Sequence, residues 1–152
     1  MPQWGAGSLK QRATCDERLQ RVFDRVIQKR DCTWLEGKRS EAQQIINVAK
    51  GVSKTMNSTH VYPLNVPSRG ADVAPYPLKW PKRPDLNLPP EQLVVELAKW
   101  QKDVARYYYF AGYVLAIAEE LGTPLRFGGD WDGDNDIHEQ SFDDLVHYEL
   151  LT

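Results

Sequence analysis

The feature that most constrains this chain is a long helical pattern over residues 90–121. Leu93, Val94, Leu97, Trp100, Val104, Tyr108, Ala111, Val114, Leu115 and Ile117 recur at helical spacing. Pro90 suits the first helical position, where a missing N–H costs nothing, and Gly122 stops the pattern. Gly112, inside it, is expected to mark a bend or a close packing contact. The rest of the chain must fold against this one element.

Shorter elements precede and follow it. Residues 14–29 place Leu19, Val22, Phe23 and Val26 on one helical face, with Asp16 and Glu17 in the first turn. Residues 33–36 read as a strand closed by Gly37. Ser40 and Gln43 form a capping box for a helix over 41–50, which Gly51 ends. Residues 52–70 show no periodicity and read as an exposed loop, and 72–76 are extended up to Pro77. Pro77, Pro81, Pro84, Pro89 and Pro90 stiffen the connection into the long helix. Residues 125–127 form a strand turned by Gly128-Gly129, and 146–151 form the last one. Helices alternating with short strands predict an α+β fold with a small, mainly antiparallel sheet flanked by helices. At 152 residues the chain is expected to be one domain, 1–152, with one core.

Charge and hydropathy exclude several functions. A net charge of −2 without a clustered basic stripe argues against nucleic-acid binding. The opening residues are polar and lack the apolar region of a signal peptide, and no apolar run is long enough for stable membrane insertion. The chain is therefore expected to be made in the cytoplasm. Cys15 and Cys32 match neither a zinc knuckle nor a CxxC pair and read as buried thiols.

There are three histidines, so the question of metal ligands is small. His60, Asp72 and His147 make a three-ligand zinc set that leaves one coordination position open. Asp72 lies in an apolar context, Ala71-Asp72-Val73-Ala74, where a carboxylate needs a partner and a metal supplies one. Asp144 precedes His147 by three residues, within reach of a metal-activated water as a general base. At the equivalent position His138 has Asn135, which cannot act so, and this favours His147 as the ligand. Simpler readings stand beside these: hydrogen-bonded histidines, and Asp144 as a turn cap. Arg39 either clamps a carboxylate or stabilises an oxyanion, or lies exposed. Glu149 shares a strand face with His147, as a hydrogen-bond partner or a solvated residue.

An ordered set of motifs now identifies a resemblance. It comprises Gly37-Lys38-Arg39-Ser40 followed by Gln43 or Gln44, Gly51-Val52-Ser53, Ser58-Thr59-His60, and Gly70-Ala71-Asp72 with Pro75. After the long helix come Leu125-Arg126-Phe127-Gly128-Gly129-Asp130-Trp131 and Asp144-Leu145-Val146-His147-Tyr148-Glu149-Leu150. The chain resembles the phage L-alanyl-D-glutamate peptidase endolysins. That group also contains zinc D-Ala-D-Ala carboxypeptidases and vancomycin-resistance dipeptidases. The resemblance implies their zinc D-Ala-D-Ala peptidase/hedgehog-like fold and Zn²⁺ at His60, Asp72 and His147. It implies Asp144 as catalytic base, Arg39 on the scissile carbonyl or a substrate carboxylate, and Ser53 and Ser58 near the peptide.

The implied substrate is the peptide stem of bacterial peptidoglycan, cut between L-Ala and D-Glu. The enzyme is implied to be a monomer that waits in the host cytoplasm until a holin opens the membrane. Cleavage of D-Ala-D-Ala, or a non-catalytic zinc-containing module that binds the cell wall, are the alternatives. The family places its aspartate seven residues after the first histidine. Here the spacing is twelve, so the loop 61–69 is enlarged. Asp130, Asp132, Asp134 and Asp136 form an acidic loop that reads either as a Ca²⁺ site or as a solvated turn.

Overall fold

The computed structural model describes residues 1–151. Four helices and four strands follow in chain order: α1 (Ala6–Arg12), α2 (Glu17–Ile27), β1 (Cys32–Glu36), α3 (Glu41–Ala49), β2 (Gly70–Pro75), α4 (Pro90–Glu120), β3 (Leu125–Gly128) and β4 (Asp144–Leu150). The strands form one sheet in the order β1-β2-β4-β3, with every neighbouring pair antiparallel. The fold is α+β, as expected.

Strand alternation divides this sheet into two functions. Side chains along a strand point to opposite faces in turn. On one face, Ala71 and Val73 of β2, Phe127 of β3 and Tyr148 of β4 pack against α2 and α4. Tyr148 is fully buried, with its ring 5.3 Å from Phe23 and 5.4 Å from Phe127. The intervening residues of β2 and β4, Asp72 and His147, are cross-strand partners on the other face. Glu149 pairs in register with Gly70 on β2 and Arg126 on β3. The hydrophobic face therefore fixes the register that brings the polar residues together. A one-residue slip would bury the charged set instead.

Helix ends follow local chemistry. The Asp16 carboxylate caps α2 by accepting from the Arg18 N–H. Ser40 caps α3 through the Gln43 N–H, but the Gln43 amide bonds Asn47 one turn on, so the capping box is only half made. Gly51 and Gly122 follow α3 and α4 with φ of 71° and 62°, the left-handed conformation that ends a helix.

The structure corrects the expectation in several places. Helix α1 was not expected, because it has no apolar stripe; its Ser8 hydroxyl accepts from the Trp34 N–H and docks it on β1. Helix α4 runs uninterrupted through Gly112, and nothing lies within 4 Å of where a Cβ would be, so this glycine marks no close packing contact. The core uses the second half of α4, from Tyr107 to Ala118. Val94 in the first half is 67% exposed, since strands of four to seven residues cannot cover a 31-residue helix. No helix among the described residues is long and apolar enough to cross a membrane.

Candidate metal centre

His60 sits in the loop before β2, yet it is almost fully buried. Its carbonyl accepts from the Arg39 N–H at 2.8 Å, and its Nδ1 lies 2.6 Å from the Gly37 carbonyl oxygen. A carbonyl only accepts, so Nδ1 carries the proton and Nε2 presents a lone pair. On β4, the Nε2 of His147 lies 3.0 Å from a Glu149 carboxylate oxygen. That assigns a proton to Nε2 and makes Nδ1 the nitrogen through which His147 could bind a metal.

These two nitrogens face each other and Asp72. His60 Nε2 and His147 Nδ1 are 3.1 Å apart, and each is 3.1 Å from Asp72 Oδ1. Three potential ligand atoms converge; without a metal a proton on His147 Nδ1 bridges to Asp72, and a metal ion could take that proton's place. The spacing suits one: a tetrahedral ion with bonds of about 2.0–2.1 Å holds neighbouring donors roughly 3.3 Å apart. Two imidazoles and one carboxylate could therefore hold a metal ion here. The enlarged loop 61–69 does not disturb this. Its ends are pinned by Val61 N–H to the Ser58 carbonyl at 3.0 Å and by Gly70 N–H to the Thr59 carbonyl at 3.0 Å, while Leu64 at its tip is fully exposed.

Charges around the trio follow from burial and pairing. Burial opposes ionisation of Asp72, but the imidazoles of His147 and His60 against it outweigh this and hold the carboxyl well below its usual range. Burial also opposes charge on His147, yet Asp72 and Glu149 push it up to about 9. Glu149 is brought down to about 2 against its burial, by His147, Arg126 and Thr59. It accepts from Thr59 Oγ1 at 2.9 Å and Arg126 Nε at 2.7 Å. Asp144 opens β4 beside the trio and is raised by burial and by the charge of Asp72. Gly128 lets it approach, since a Cβ there would strike the Asp144 backbone.

A cavity of about 450 Å³ opens over these groups. Asp72, Asp144, Arg39, Ser53 and Ser58 all line it. The Arg39 guanidinium is held by both Glu36 carboxylate oxygens and donates to Gln44 Oε1 at 2.6 Å. Buried Gln44 in turn donates to Ser53 Oγ at 2.8 Å, and Ser58 Oγ accepts from the His60 N–H at 3.3 Å. Sequence reasoning gave no role to Glu36, and named Thr59, Gln44 and Arg126 only within motifs. Their roles are contacts to other side chains; the signals were the adjacency of Thr59 to His60 and the place of Arg126 in the Leu125–Trp131 motif.

Elsewhere, Asp130, Asp132 and Asp134 bring carboxylate oxygens within 4.8 Å of one another. Asp136 turns away and accepts from the His138 N–H at 2.9 Å. His138 is exposed and pairs with Asp136. Cys15 and Cys32 are buried free thiols, and burial pushes Cys15 up to about 12 and raises Cys32 as well.

The fold and site together define a small α+β protein with a His-Asp-His cluster on the polar face of its sheet and half-buried Asp144 in the same cavity. Residues 2–151 match the model of the phage L-alanyl-D-glutamate peptidases, and the chain belongs to that family. It is 30% identical over 143 residues to an L-alanyl-D-glutamate peptidase of Escherichia phage T5, covering 91% of this chain and 88% of that one. It also resembles the crystal structure of the Serratia marcescens L-Ala D-Glu endopeptidase ChiX. That match has a TM-score of 0.63 over 95% of this chain and 86% of the other; at 23% identity it speaks for the fold.

Proposed function

We propose that this protein is a zinc peptidase that hydrolyses the L-Ala–D-Glu bond in the peptide stem of bacterial peptidoglycan. The observation that carries the reading is the convergence of three potential metal ligands, His60, Asp72 and His147, beside the raised carboxyl of Asp144 in one cavity. Family membership supports the bond. A zinc ion held by the three would act as a Lewis acid, polarising the scissile carbonyl and acidifying water.

The chain's own residues do the rest. Asp144 takes a proton from the attacking water and returns it to the leaving amine, a task suited to a carboxyl raised above its ordinary range. Arg39, fixed by Glu36 and Gln44, keeps N–H donors for the carbonyl oxygen as negative charge develops there. Ser53 and Ser58 line the cleft as hydrogen-bonding groups for the peptide backbone. Glu149 holds His147 in the tautomer that presents Nδ1. We take the protein to work as one catalytic domain and as a monomer, reaching the wall after holin-type release.

Digestion of purified peptidoglycan, with products identified by mass spectrometry, tests this. New L-Ala carboxyl termini and D-Glu amino termini that vanish with a chelator and return with zinc are expected. Release of D-Ala would move the activity to the carboxypeptidase branch. Intact peptidoglycan despite bound zinc would make the protein a wall-binding module.

A further inference from the structure

Three cationic side chains among the described residues line the cavity: Arg39, Arg126 and Lys54. Two are already neutralised, Arg39 by Glu36 and Arg126 by Glu149. Lys54 forms no ion pair with any described residue. Its ammonium instead lies 4.5 Å over the Phe142 ring, a contact that holds the cation and leaves its N–H groups available to an anion. Phe142 stacks on Trp131 with centroids 6.4 Å apart, and Trp131 lies 5.5 Å from the His147 ring. An aromatic wall thus runs from the metal cluster to the one cation without a carboxylate partner.

The substrate explains such a cation. In the peptidoglycan stem, D-Glu continues through its γ-carboxyl, so its α-carboxylate stays free on the carbon that bears the scissile nitrogen. Asp72 and Asp144 line the same cavity, and like charges brought together weaken binding. An anionic residue next to the cut bond therefore needs a cation that is not already paired. Some stems carry a carboxamide at this position, which has no charge to match.

We propose that Lys54 binds the free α-carboxylate of D-Glu beside the scissile bond, and so selects stems in which that group is not amidated. The inference rests on the peptidase reading above. An ionic contact of this kind gives about tenfold selectivity between carboxylate and carboxamide.

The test compares stem peptides containing D-Glu with counterparts containing its α-carboxamide, using zinc-loaded wild type, Lys54→Met and Lys54→Arg. The wild type should favour the carboxylate about tenfold in kcat/KM. Lys54→Met should lose that preference through a raised KM on the carboxylate peptide, with the carboxamide peptide unaffected. Lys54→Arg should restore it. A Lys54→Met variant that keeps the wild-type ratio, or a wild type indifferent to amidation, overturns the role of Lys54 and leaves the peptidase reading standing. A wild type that cuts neither peptide overturns both readings.

Discussion

Replacing Glu149 with glutamine isolates the contribution of one buried carboxylate to the metal centre. Glu149 accepts from three residues: Arg126, through Nε at 2.7 Å and through a terminal guanidinium nitrogen, Thr59 Oγ1 at 2.9 Å and His147 Nε2 at 3.0 Å. An amide of the same shape has one accepting oxygen. If that oxygen faces Arg126, the NH₂ faces His147 Nε2 and drives the imidazole proton to Nδ1, where the metal should bind. If it faces His147, the NH₂ opposes the Arg126 guanidinium. Either arrangement costs about 10- to 100-fold in metal affinity, roughly 1.4–2.7 kcal/mol. Arg126→Gln should cost less, because the Arg126 side chain is 40% exposed and water can replace it. Zinc Kd values from competition with a chromophoric chelator measure both. A Glu149→Gln Kd within threefold of wild type would refute the claim that this carboxylate sets the His147 tautomer.

Asp144→Asn should retain zinc yet lose about 10²- to 10⁴-fold in kcat, read from peptide hydrolysis beside metal analysis. Loss of metal together with activity would place Asp144 in the ligand set instead. Stability against pH should separate the metal-stripped and zinc-loaded forms. His147 rises from 6.5 to about 9 without a metal, so its contribution is complete below pH 6.5 and disappears as pH climbs through about 9. Thermal melting of the stripped protein should therefore fall across that window, while the zinc form, whose His147 holds no proton on Nδ1, should not follow it. Gly70→Ala would drive a methyl group into Thr59 Oγ1 and within 3.2 Å of His147 Cε1. It should weaken zinc binding more than it lowers the melting temperature of the stripped protein, and the reverse order would assign Gly70 to the fold alone.

The parts of the structure legible in the sequence are those where a residue acts through its own backbone or its own spacing. Pro90 and Gly122 bound α4 because a missing N–H and a left-handed φ are local properties. His60, Asp72 and His147 could be named because few residue types ligate metal and the chain has three histidines. What escaped was set by partners distant in sequence. Arg39 reads as a free clamp until Glu36 and Gln44 are seen to hold it. Glu149 reads equally as a solvated strand residue until Arg126 of β3 and Thr59 of the loop before β2 close on it. Helix α1 shows no periodicity because seven residues buried at a single point, Ser8, need none. The exposed first half of α4 keeps an apolar spacing that the sheet is too small to use.

The most direct measurement is zinc stoichiometry of the purified protein together with X-ray absorption at the zinc edge. The account predicts one zinc per chain with nitrogen and oxygen ligands at about 2.0–2.1 Å, an imidazole signature, and its loss in His147→Ala. Absence of stoichiometric metal at neutral pH, or sulfur ligation at about 2.3 Å from Cys15 or Cys32, would contradict it.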